Sequence, residues 1–197
     1  MLAMHVYFRN RRALYIAFNR SNRLAGRMNI LLVSETLLPG GAETFVLRLA
    51  NALVGEHQVA LAILHGEMVK GELCAKLDPR IKVHLLKLPA KRALLKVDNL
   101  LRRLHIDRSV VRRAQHQWLA KLVGASPPDV IHSHLFKADH AASLIRAAHP
   151  RIRHFITLHG DYAPFHEGRA DPQLLKLAPR MASVIGLADG IVAVFPA

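Results

Sequence analysis

The chain has 197 residues, 51% of them hydrophobic, a formal charge of +14 and a pI near 10.9. That length and apolar content suit one folded domain with its own core and exclude a disordered chain. The charge points to anionic partners (nucleic acid, acidic lipid headgroups or phosphorylated substrates) without choosing among them.

Residues 1–27 carry Arg9, Arg11, Arg12, Arg20, Arg23 and Arg27 and no acidic residue. Three readings stay open: a basic segment lying on an anionic membrane surface, an extension outside any domain, or upstream sequence before a true start at Met28. The apolar run Ala13–Phe18 is shorter than the ~7–15 residues of a signal-peptide core, and no run nears the ~20 residues of a membrane span. The lone Cys74 excludes an internal disulfide, leaves no zinc spacing, and fits a packed thiol in a reducing cytoplasm. A cytoplasmic chain, peripheral at the inner face of the plasma membrane, is expected.

From residue 28 the pattern is regular, and 28–197 is expected to form the domain. Residues 29–34 (NILLVS) form a short continuous apolar run, as in a strand buried on both faces. Pro39, Gly40 and Gly41 break it, and residues 42–54 follow as a helix with Phe45, Val46, Leu49 and Leu53 on one face. Residues 57–64 and 81–88 are the next strands, separated by a loop and short helix. Residues 92–123 are expected as one long basic helical stretch. Trp118 is its single aromatic, so stacking platforms for nucleic acid are lacking. A solvated helix, or one resting on anionic lipid, is the better reading. Residues 129–132, 154–158 and 188–195 are three further strands, with helices at 138–148 and 173–187, the latter bent at Pro179. Alternating strands and helices give an α/β fold: a Rossmann-like parallel sheet with helices on both faces. Ligands of such sheets lie at the carboxyl ends of strands, which directs attention to loops 35–42, 132–137 and 159–165.

Three motifs fall there. Gly40 and Gly41, between strand and helix, let backbone approach a ligand, and the free N–H groups of the helix start can bind a diphosphate; a tight turn explains the pair equally well. Glu43 suits the helix dipole. His132 and His134 follow in the fourth strand, one expected to face the crevice and the other to pack; no third ligand is evident, so no metal is expected. His159 stands after the fifth strand beside Gly160, with Asp161 able to orient the imidazole, bind a sugar hydroxyl or make a turn.

In order, residues 29–53, 57–64, 128–150, 156–162 and 188–194 resemble the N-terminal, acceptor-side domain of GT-B glycosyltransferases of family 4. The resemblance implies a nucleotide-diphosphate sugar as donor substrate, no metal and no other cofactor, and transfer with retention to a lipid-linked or polysaccharide acceptor. It implies that Gly40 and Gly41 approach the diphosphate, that His159 contacts the transferred sugar as the catalytic residue, and that His134 and Lys137 line the acceptor side. The C-terminal donor-binding half of that family is not found in residues 28–197. A chain poorly active alone, or paired with a separate donor-domain chain, is therefore expected. The alternative is a non-catalytic Rossmann-like nucleotide- or nucleic-acid-binding module, with nucleic acid the weaker option.

Overall fold

The computed structural model describes residues 4–5, 26–106, 108–159 and 178–194. In chain order the elements are β1 (Met4–His5), β2 (Asn29–Ser34), α1 (Gly41–Leu53), β3 (Gln58–Ile63), α2 (Gly71–Cys74), β4 (Lys82–Leu85), α3 (Lys91–Arg103), α4 (Val110–Ala125), β5 (Val130–His134), α5 (Phe136–Ala148), β6 (Arg153–Leu158), α6 (Ala178–Leu187) and β7 (Gly190–Val194). They form one sheet in the order β1-β7-β6-β5-β2-β3-β4. β2 to β7 run parallel, and the two residues of β1 add an antiparallel edge, with Met4 opposite Val194.

The sheet is apolar on both sides because helices cover both. Ile30 and Leu32 of β2 meet Leu61 and Ile63 of β3 and Val46, Leu47 and Ala50 of α1 in one core. Leu31 and Val33 point the other way, to Leu119 and Val123 of α4 and Ala138, Ala141 and Ile145 of α5. Leu32, Leu61, Ile63 and Ile131 are fully buried. Truncating any one to Ala would cost about 2–5 kcal/mol. Cys74 is half-buried at the edge of the α1 core, a free thiol as expected.

The expected helix 92–123 is two helices. Leu104 and His105 form a turn in which His105 takes φ 55°, a conformation a helix cannot contain. Ser109 then caps α4 by accepting from Arg112 N–H at 3.1 Å, while Asp98 of α3 takes the Ser109 hydroxyl and the Val110 N–H, each at 2.6 Å. The break arises from this capping and from no Gly or Pro. The described part of α6 is Ala178–Leu187 with Pro179 in its first turn; the rest of the expected helix, 173–177, lies outside the described residues.

Candidate functional site

The carboxyl ends of β2, β3, β5 and β6 share one edge of the sheet, since register pairs Ser34 with both Ile63 and His134, and His134 with Thr157. His132 and His134 lie on the same face of β5, against the expectation that they part. A strand repeats every two residues, so i and i+2 share a side. Their rings stack with centroids 4.5 Å apart. His132 Nε2 bonds the Thr157 hydroxyl at 2.7 Å. His134 is fully buried and turns its Nδ1 to His159 Nε2 at 3.0 Å.

His159, half-buried just past β6, is thus anchored from the strand beside it. Phe45 of α1 meets it edge-on at 5.3 Å and touches His134 at 5.9 Å, closing the group from the helix side. Burial pushes both rings below the ordinary histidine value, His134 furthest; its neighbours His132 and His159 add to the shift. For His159 the Glu43 carboxylate works against burial by favouring the charged ring. The pair is therefore neutral near pH 7, and one ring donates to the other. His134 Nε2 is buried without a partner. A bare lone pair there costs less than an orphaned N–H, which assigns the proton to His134 Nδ1 and leaves His159 its Nδ1–H as a donor.

Gly40 and Gly41 open α1 in exposed positions. A Cβ on Gly41 would meet nothing within 4 Å, so the space before it is open. A Cβ on Gly40 would meet Glu43 Oε2 at 2.5 Å, because that carboxylate folds back over the loop and accepts from the Thr36 hydroxyl at 2.7 Å. No side chain caps α1. At α5 the opposite holds: Glu35 reaches over from the end of β2 and accepts from the Lys137 N–H at 2.7 Å. Of the two helix starts, α1 keeps its N–H groups free of side-chain capping and α5 has an internal carboxylate.

Lys137 Nζ stands 3.7 Å from Glu35, in a partly exposed position. Burial raises the Glu35 pKa, and Lys137 opposes the rise. Beyond Glu35, at the end of β3, His65 contacts the Gln115 amide at 3.2 Å and the Lys91 ammonium at 3.4 Å, and Lys91 pairs with Glu67. Burial, reinforced by Lys91 and Lys137, lowers the His65 pKa to about 4. Between His134 and Lys137 the backbone is strained: Leu135 takes φ 73°, ψ 149°, a region nearly confined to glycine. A cost of about 1–3 kcal/mol is held at the point that sets both side-chain directions.

On the other face of β5, His154 donates to Ser133 Oγ at 2.8 Å, and Ser133 donates to Asp139 Oδ1 at 2.7 Å. All three are buried, so this Ser/His/Asp set is a structural brace with no route to a substrate. The sequence reading missed it, along with Glu35, Phe45, His65 and Lys91. The strand-end rule reaches Glu35 and His65; Phe45 and Lys91 join only through tertiary packing. Of the expected site residues, Gly40, Gly41, His134, Lys137 and His159 come to one edge. Asp161 lies outside the described residues.

This edge, with a histidine at a strand end facing an uncapped glycine helix start, belongs to a sequence that matches Glycosyltransferase Family 4 over residues 39–197. The chain belongs to glycosyltransferase family 4. Its Rossmann-like unit is the N-terminal half of a GT-B fold. Comparison with curated proteins gives no significant match. Among solved structures the family 4 chain is similar to a UDP-N-acetylglucosamine 2-epimerase, at TM-score 0.52 and 18% identity, covering 83% of this chain and 41% of that one. It is also similar to the N-terminal domain of Candida albicans trehalose-6-phosphate phosphatase, at TM-score 0.50 and 15% identity, covering 84% and 41%. At such identities the likeness is one of fold. The family 4 chain spans 41% of the length of each of these two structures.

Proposed function

We propose that the chain is the acceptor-side half of a retaining glycosyltransferase that takes its sugar from a nucleotide-diphosphate donor. The observation that carries this reading is the His134–His159 contact beside the uncapped start of α1. In this reading the donor diphosphate approaches Gly41, where no Cβ or side chain intervenes, and its charge is met by the first N–H groups of α1. His159 is the catalytic residue. Its Nδ1–H donates to the transferred sugar near the reaction centre, where a preorganised donor is worth most. His134, with no exposed surface, serves the site by fixing the tautomer and direction of His159. Lys137 lines the acceptor side, held in place by Glu35, and Asp161 contacts the sugar or orients His159. No metal or other cofactor takes part.

The acceptor is a lipid-linked or polysaccharide glycan, met at the inner surface of the plasma membrane. A second Rossmann-like unit, in the same protein or a separate chain, grips the nucleotide from the facing side. Two results test this. Saturation-transfer NMR on the purified chain with UDP-, GDP- and ADP-sugars should show contact for at least one, lost in Gly41→Asp, which places a carboxylate in the open space. The chain alone should transfer sugar poorly; robust turnover by the purified 197-residue chain contradicts the need for a second unit.

A further inference from the structure

α3 differs from the other long helices in that none of its described side chains is buried. The eight exposed large apolar side chains among the described residues include five between 95 and 106: Leu95, Val97, Leu100, Leu104 and Ile106. The helix is nonetheless firmly seated. Lys91, Leu94, Asp98 and Leu101 recur every three or four residues and are its half-buried positions, and Asp98 is fastened to the start of α4. These four define the inner row.

The outer rows follow from helical spacing. Val97, Leu100 and Leu104 form an apolar row, 43–60% exposed. Arg92, Lys96 and Arg103 form a parallel, exposed basic row beside it. The only acid of α3 is Asp98, turned inward. An exposed apolar row flanked by basic residues is the arrangement of a helix lying in the plane of a membrane interface.

We infer that α3 docks the chain on an anionic lipid surface, with Val97, Leu100 and Leu104 entering the headgroup boundary and Arg92, Lys96 and Arg103 meeting lipid phosphates. Charge selects this occupant. A second copy would bring a second basic row and another +14 chain to the same surface. An anionic bilayer satisfies the apolar and basic rows together. The placement also serves the crevice: Lys91, at the first residue of α3, pairs with Glu67 and touches His65 at the end of β3. Docking α3 therefore brings the carboxyl edge of the sheet close to the headgroups. The docking stands independently of sugar transfer; its use, presenting a lipid-carried acceptor to His159, rests on the function proposed above.

The test is flotation of the full chain with phosphatidylcholine vesicles, with and without phosphatidylglycerol. The wild-type chain should float with the anionic vesicles and bind them at least tenfold more tightly than the neutral ones. Val97→Glu/Leu100→Glu should weaken that binding about tenfold or more at an unchanged thermal midpoint, since both positions are solvent-facing. Arg92→Ser/Lys96→Ser should weaken it and flatten its salt dependence. Arg9→Ser/Arg11→Ser/Arg12→Ser should leave it largely intact. Absence of vesicle binding, or full binding by the α3 variants with loss only in the Arg9 set, overturns the proposal. So does self-association in solution that the α3 variants abolish without any vesicle binding. Failure here with intact nucleotide-sugar binding removes the membrane inference and leaves the transferase reading standing.

Discussion

His134 Nδ1 lies 3.0 Å from His159 Nε2, across the gap between the ends of two parallel strands. One ring is sealed in the sheet and the other stands half-exposed at its edge. The buried ring converts the rigidity of β5 into a fixed orientation for His159. Glu43, on the facing helix, biases the same ring towards its charged form. Replacing Glu43 with Gln removes that bias, so the His159 pKa should fall further below 6.5, as read from its imidazole NMR shifts against pH. A rise, or no change, would show that Glu43 does not act on His159.

Acid stability follows from the buried rings. His65, His132 and His154 have pKa values lowered to about 4, 3 and 4, and His134 is also well below 6.5. Below pH 6.5 the unfolded chain takes up protons that these native rings refuse. Stability is thus full above that pH and falls as pH drops towards the folded values, by up to ~1.4 kcal/mol per pH unit per ring. Glu35 and Asp139, raised by burial, bind protons more readily when folded and partly offset the loss. Four rings outweigh two carboxyls, so the thermal midpoint should fall between pH 7 and pH 5. A flat or rising midpoint over that range contradicts the account.

Asp139 is a separate case. Burial raises its pKa well above the ordinary carboxyl value, and the Ser133 hydroxyl bond only partly counters this. Its folded state prefers the proton, so the group costs stability as pH rises through its raised pKa. Asp139→Asn keeps the shape and the acceptor oxygen without the charge, but sets an NH2 where Oδ2 is buried without a partner. The orphaned NH2 costs the same at any pH, while the charge removed matters only where wild type is ionised. The variant should therefore compare with wild type more favourably at pH 8 than at pH 5, by about 1 kcal/mol. Denaturant unfolding at the two pH values checks this; a variant that compares no better at pH 8 than at pH 5 would contradict the raised pKa of Asp139.

Glu35 caps α5 from a neighbouring strand. Glu35→Ala should cost about 1–2 kcal/mol, the usual loss for a helix start deprived of its acceptor. It should also free Lys137, whose amide and ammonium both face that carboxylate. Hydrogen exchange at the Lys137 amide measures it: faster exchange in the variant is expected, and unchanged protection contradicts the cap.

Much of the fold was legible because its strands are continuous apolar runs and its first helix has a clean apolar face. Residues 29–34 and 42–53 needed no tertiary information. The break between α3 and α4 did, since it depends on Asp98 reaching Ser109, eleven residues away. The site was legible where chemistry sits at strand ends, as for Gly40, Gly41, His134 and His159. The expectation that His132 and His134 part company failed on the strand period itself, and their stacked rings show it. Glu35, Phe45 and His65 carry no local pattern; they become part of the site only when the sheet brings its strand ends together.

The most direct measurement is the thermal midpoint of the chain with UDP-, GDP- and ADP-sugars, for wild type, Gly41→Asp and His159→Ala. A ligand selective for the native state at about ten times its Kd adds ~1.4 kcal/mol, which raises the midpoint by roughly 3–6 °C in a chain of this size. The account predicts such a rise for at least one sugar nucleotide, its loss in Gly41→Asp, and its reduction in His159→Ala. No rise with any of the three, or an equal rise in both variants, would contradict the assignment of this edge as the sugar-nucleotide site.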